Sequence, residues 1–130
     1  MKKQLFRKWE PLVGIHSKLY VVELCDSHQG LRILLRSEGD KAEKLTITFK
    51  STLTYRNIDE GDLIATLHVK SEGLSNWSLY TVTDSEYVGW FNDESENIHE
   101  HQNVMHYAIY TPGDCIDILT VEPPGVEWSP

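Results

Sequence analysis

The chain has 130 residues, 40% of them hydrophobic and 25% charged, with a formal net charge of −8. That length supplies one hydrophobic core without a structural metal or a disulfide, and the four Trp and six Tyr exclude a disordered chain. No apolar run approaches the ~20 residues of a membrane-spanning helix, and the negative charge disfavours nucleic acid and anionic membrane as partners.

Residues 1–11 are basic with Leu5, Phe6 and Trp9 interleaved, which predicts a short amphipathic helix or an edge strand docked by these three side chains. The opening residues lack the apolar stretch and small-residue cleavage site of a signal peptide, so a cytoplasmic protein with two reduced thiols, Cys25 and Cys115, is expected. From Leu12 to Cys25 the pattern turns β-like, clearest over Leu19–Leu24. Asp26–Gly30 reads as a hairpin loop, Leu31–Arg36 as the returning strand and Ser37–Asp40 as a second turn.

Leu45, Ile47, Phe49, Leu53 and Tyr55 share one parity, and Thr46, Thr48, Lys50, Thr52, Thr54 and Arg56 share the other. This predicts one long strand, or two hinged near Lys50–Ser51, with a Thr-rich face in water. Asn57–Asp62 reads as a turn, Leu63–Val69 as a strand, Lys70–Gly73 as a loop and Trp77–Val82 as a further strand.

One helix is expected after Thr83-Asp84-Ser85-Glu86, where Thr or Ser caps the first amides and Glu86 completes a capping box with Thr83. Tyr87, Val88, Trp90 and Phe91 fall on one arc of about 160° at 100° per residue, so this face is expected on the sheet. Gly89 in its interior predicts close packing or a short helix. A polar, acidic connection, residues 92–103, leads to Val104–Val121: two strand-forming runs joined by Thr111-Pro112-Gly113-Asp114. That stretch reads as the core hairpin. The Pro-containing tail is non-helical, with Val126 and Trp128 available to pin it to the body. The expected architecture is one domain, residues 1–130, of β-rich α+β class: a twisted antiparallel sheet or sandwich with one short helix packed on it.

The charge is unevenly placed. Residues 1–70 hold all twelve Lys and Arg against nine Asp and Glu, whereas residues 71–130 hold eleven Asp and Glu and no Lys or Arg. A half-molecule of one sign favours a basic protein partner, and Asp84, Glu86, Asp93, Glu94, Glu96 and Glu100, beside Trp90 and Tyr107, are the expected contact residues. His99, His101 and His106, with Glu96 and Glu100 near, are the one cluster of metal-ligand residue types, but their spacing fits no established ligand pattern, so no cofactor is expected. The two Cys sit in apolar strands, no G-x-S-x-G or phosphate-cradling Gly loop is present, and no catalytic residue is identified.

The segments D-S-E-Y-V-G-W-F, from Asp84, and H-Y-A-I-Y-T-P-G-D-C-I-D-I-L, from His106, resemble small bacterial immunity proteins of polymorphic and contact-dependent growth inhibition toxin systems. The resemblance implies a stand-alone cytosolic protein that binds one toxin domain, often a basic nuclease, and blocks its active site by charge and shape. It assigns no residue, because these families share no site motif. A non-enzymatic immunity protein is therefore the leading expectation. The alternatives are a small-molecule or metal-binding β domain using a pocket between sheet and helix, and a structural subunit of an assembly.

Overall fold

Pro112 and Gly113 reverse the chain between two seven-residue strands, with Gly113 at φ 86° in the left-handed region that glycine adopts without strain. The computed structural model describes residues 4–15, 18–37, 43–62 and 77–129. In chain order the strands are β1 (Leu5–Lys8), β2 (Leu19–Ser27), β3 (Gly30–Ser37), β4 (Lys44–Phe49), β5 (Thr52–Ile58), β6 (Leu79–Thr83), β7 (Met105–Thr111), β8 (Asp114–Thr120) and β9 (Gly125–Ser129). Among the described residues one α-helix, α1 (Glu86–Glu94), lies between β6 and β7, and a short 3-10 turn spans Glu60–Asp62. The strand expected over Leu63–Val69, the Lys70–Gly73 loop and the turn beyond Ser37 fall outside the described residues. Among the described residues, no helix is long and apolar enough to cross a membrane.

Among the described residues all pairings are antiparallel and make two sheets, ordered β1-β6-β7-β8-β5 and β2-β3-β4-β9. Strand alternation decides what lies between them. Leu31, Ile33 and Leu35 of β3 pair with Phe49, Ile47 and Leu45 of β4, and this face meets Leu79, Tyr107, Ile109, Ile116 and Ile118 of the larger sheet in one buried cluster. In β2 an extra residue, Val22, lets Val21 and Leu24 both reach that core, leaving Val22 itself exposed. The tail closes the smaller sheet as β9, with Val126 and Trp128 on the core as the sequence suggests.

The strand expected to hinge near Lys50–Ser51 is two strands in different sheets: β4 ends on β9's side and β5 pairs with β8. The N-terminal segment is an edge strand, but its three apolar side chains do not dock together. Phe6 is buried on the outer face of the larger sheet, Trp9 packs edge-on to Tyr107 in the main core at 5.0 Å, and Leu5 is exposed.

That outer face is a second interior. Phe6, Tyr80, Val82, Ala108, Tyr110 and Cys115 form a buried cluster there, with α1 laid nearby through Tyr87. Strands β7 and β8 are thus buried on both faces, as the nearly continuous apolar run of β8 predicts. The outer face of the smaller sheet carries Arg32, Arg36 and Lys44 in register across β3 and β4.

Candidate functional site

Asp117 of β8 is fully buried and lies directly opposite Ala108 of β7 and Arg56 of β5. Because Ala108 is small, its neighbours two residues away, His106 and Tyr110, reach the carboxylate diagonally. Tyr110 donates its hydroxyl to both oxygens, at 2.9 and 3.1 Å. The His106 Nε2 lies 2.6 Å from Oδ1 and the Arg56 Nε 3.1 Å from Oδ2. Burial pushes the Tyr110 phenol pKa far above its ordinary value, and the adjacent Asp117 charge pushes it further, so the hydroxyl stays a donor. Three donors converge on one buried acceptor, the arrangement a carboxylate needs to tolerate burial.

The network leaves the sheet through His106. Its Nδ1 is 2.6 Å from the Ser85 Oγ, and Ser85 caps α1 by accepting the Val88 amide at 3.1 Å. Asp117 accepts from Nε2, and in the neutral imidazole Nδ1 then accepts the Ser85 hydroxyl. Asp84, at φ 51°, makes the sharp turn from β6 into the cap. Thr83 is therefore not the cap, and Glu86 closes no capping box: its amide donates to Gln4 Oε1 at 2.9 Å instead. Arg56 lies over the Tyr87 ring at 4.3 Å, and the Tyr87 hydroxyl is 3.3 Å from Thr54 Oγ1. Thr54 and Arg56, expected on a watered face, are thereby roofed by the helix.

The helix is rotated from its expected phase. Tyr87 is buried with Val88, Phe91 and Asn92 on its side, while Trp90 is 53% exposed and falls between Glu86, Asp93 and Glu94 at 100° per residue. Gly89 is not closely packed. A Cβ built there meets nothing within 4 Å, so its cost of about 1 kcal/mol in a helix is not offset by packing. The space beside it belongs to a cleft of about 580 Å³ between α1 and β6–β7, with Val82, Val88, Val104 and Met105 among its walls and Ser85 and His106 in its lining. The Asn92 Oδ1, on the same side of the helix, is buried without a partner among the described residues.

The predicted contact residues are all exposed: Asp84 in the turn before α1, Glu86, Asp93 and Glu94 on the helix, and Glu96 and Glu100 in the turns after it. None makes an ion pair with Lys or Arg among the described residues. Ile98, amid them, is 75% exposed. The three histidines are not brought together as a ligand set: His106 is buried against Asp117, His99 bonds Gln102 and stacks on Phe91 at 5.1 Å, and His101 is exposed beside Glu100. Among the described residues, no group of three or more His, Cys, Asp or Glu converges on a metal position.

Comparison with protein-family models, curated proteins and solved structures returned no match. The chemistry must be read from the site itself.

Sequence reasoning did not assemble Ser85, His106, Tyr110, Asp117 and Arg56. A signal was present. His106 and Asp117 are polar residues within strands whose neighbours are apolar on both parities, and a polar side chain in a doubly covered strand must find a buried partner.

Proposed function

We propose that this chain is a protein-binding module, most concretely an immunity protein acting in the cytoplasm, which neutralises a basic toxin domain through the acidic side of α1 and the turns that follow. The observation that carries this reading is the exposure of Trp90 and Ile98 among six carboxylates without Lys or Arg partners in the described residues. Large exposed apolar side chains of this kind serve as anchors that slow dissociation, and surrounding charge raises the rate of encounter with an oppositely charged surface.

The test is a pull-down with the tagged chain from its own cells at low salt. Recovery of one basic protein is expected, with loss when Asp93, Glu94, Glu96 and Glu100 are changed together to Asn. Trp90→Ala is expected to speed dissociation without altering the salt dependence. Recovery that is indifferent to both changes would remove this face from the interface.

A second reading, a small-molecule site between sheet and helix, is favoured by the cleft at Gly89. Its volume lies in the range of ordinary ligand pockets, roughly 300–1,000 Å³. Salt separates the two: charge-led association weakens as ionic strength rises, whereas entry of an uncharged molecule into the cleft does not.

A further inference from the structure

β6, the left-handed residue Asp84 and α1 form a strand–turn–helix junction, and Ser85 stands where the turn enters the helix. From its Oγ a hydrogen-bonded chain runs to His106 and on to Asp117, 2.6 Å at each link. With the imidazole neutral and its Nε2–H donated to Asp117, the Nδ1 lone pair faces the Ser85 hydroxyl. This is the polarity required of a serine, its general base and the carboxylate that orients the base, an arrangement recognised by geometry and role rather than by position in the chain. Tyr110 and Arg56 hold the carboxylate in turn. Ser85 and His106 line the cleft, and Gly89 leaves the adjoining space open.

We propose that Ser85 is a catalytic nucleophile with His106 as its general base and Asp117 as the positioning residue, and that the cleft takes a small uncharged carboxylic ester. The inference rests on the second reading above, that a small molecule occupies the cleft, and not on the acidic face. Val82, Val88, Val104 and Met105 suit a short acyl chain. No Lys or Arg lines the cleft and Asp84 does, so an anionic substrate is disfavoured.

In the first half-reaction the Ser85 Oγ bonds to the ester carbonyl carbon while its proton passes to His106 Nδ1. The carbon–oxygen bond to the alcohol then breaks, and the alcohol leaves with that proton. In the second half a water oxygen attacks the acyl carbon and gives a proton to His106. The acid departs as Oγ takes the proton back, so water is the sole co-reactant. Asp117 stabilises the imidazolium in both halves, and the Val88 amide already bonded to Oγ fixes the position of the attacking oxygen.

The full chain is treated with a fluorophosphonate ester and weighed intact, and p-nitrophenyl butyrate hydrolysis is followed in parallel. One adduct is expected on the wild type and none on Ser85→Ala, with hydrolysis slowed about 100-fold or more in His106→Asn. Ser85→Ala also removes a helix cap, so Gly89→Leu serves as a second variant: it fills the cleft, leaves the relay intact and is expected to block labelling with the circular dichroism unchanged. A folded wild type that takes no adduct, or an adduct that persists in Ser85→Ala, overturns the proposal. The ketone isostere of the ester separates the two layers. If it raises the melting temperature while no adduct forms, the cleft reading stands and the catalytic one falls; if it raises nothing and no adduct forms, both fall.

Discussion

Changing Asp117 to Asn keeps the shape of the side chain and removes its charge, so the variant isolates what the buried carboxylate does. In the native fold its two oxygens accept from Tyr110, His106 and Arg56 and donate to nothing. An amide in the same place turns an NH2 group toward donors. At least one of the imidazole, phenol or guanidinium groups then loses its acceptor, at a cost of about 1–3 kcal/mol for an unsatisfied buried group. Breaking a buried ion pair costs about 3–5 kcal/mol, but Arg56 is 38% exposed and recovers water, which lowers its share. These contributions are not additive, and a total of about 3 kcal/mol is expected, a large fraction of the roughly 5–15 kcal/mol that holds a domain folded. Urea denaturation followed by Trp fluorescence measures it, and at a slope of about 1.5 kcal/mol per molar the midpoint should fall by about 2 M. Tyr110→Phe alone should cost about 1 kcal/mol, and the double variant should show coupling of about 1 kcal/mol with Asp117→Asn. An Asp117→Asn midpoint within 0.5 M of wild type, taking the order of magnitude from the same slope, would refute the argument that the network is a stabilising, fully paired unit.

Gly30→Ala is expected to lower the melting temperature markedly, because its φ of +117° excludes an L side chain and a Cβ there would lie 2.4 Å from the Phe49 carbonyl oxygen. Gly113→Ala, which also has positive φ but nothing within 4 Å, should cost less; equal losses in thermal melts would mean that the contact with Phe49 is not the reason. Ile118→Ala empties a fully buried position between the sheets and should cost about 4 kcal/mol by urea titration. Stability should also fall in alkali. Burial pushes the Tyr80 pKa up to about 12 from 10.0. With the folded pKa above the unfolded one, the stabilisation is complete below pH 10 and is lost as pH rises from 10 to about 12. Urea midpoints that stay level across that range, or a slope unchanged in Tyr80→Phe, would contradict this.

The elements that were legible in the sequence are those whose pattern is local. β7 and β8 announce themselves by apolar residues on both parities and by Pro112-Gly113 between them, and β3 and β4 by alternation. What was not legible depends on contacts distant in the chain. The alternation from Leu45 to Tyr55 continues across Lys50–Ser51, so it cannot register that the chain changes sheets there; only pairing with β9 on one side and β8 on the other does. The helix was placed within a few residues, but its phase was misjudged because the arc of aromatics includes Trp90, whereas the small cleft-side residues Gly89 and Asn92 sit where a purely apolar face would have put bulk. Five polar side chains of the buried network come from β5, the turn before α1, β7 and β8, and no spacing within a single segment links them.

The location of that network follows from the layering. The inner face between the sheets is filled mainly by aliphatic and aromatic residues, which leaves no favourable place for a charge. The outer face of the larger sheet carries, beside its buried cluster of Phe6, Tyr80, Tyr110 and Cys115, the polar side chains His106, Asp117, Thr54 and Arg56. Once α1 lies near that face, those groups lose solvent and must satisfy one another. Ser85 completes the set because it serves two demands with one oxygen, accepting the Val88 amide as a cap and donating to His106. The helix is thereby registered to the sheet by a directional bond as well as by the burial of Tyr87, which an apolar contact alone would leave free to slide. The same registration sets out the two surfaces on which the functional readings rest: it turns Trp90 and the carboxylates outward and leaves Gly89 facing an open cleft with the Ser85–His106 pair in its wall.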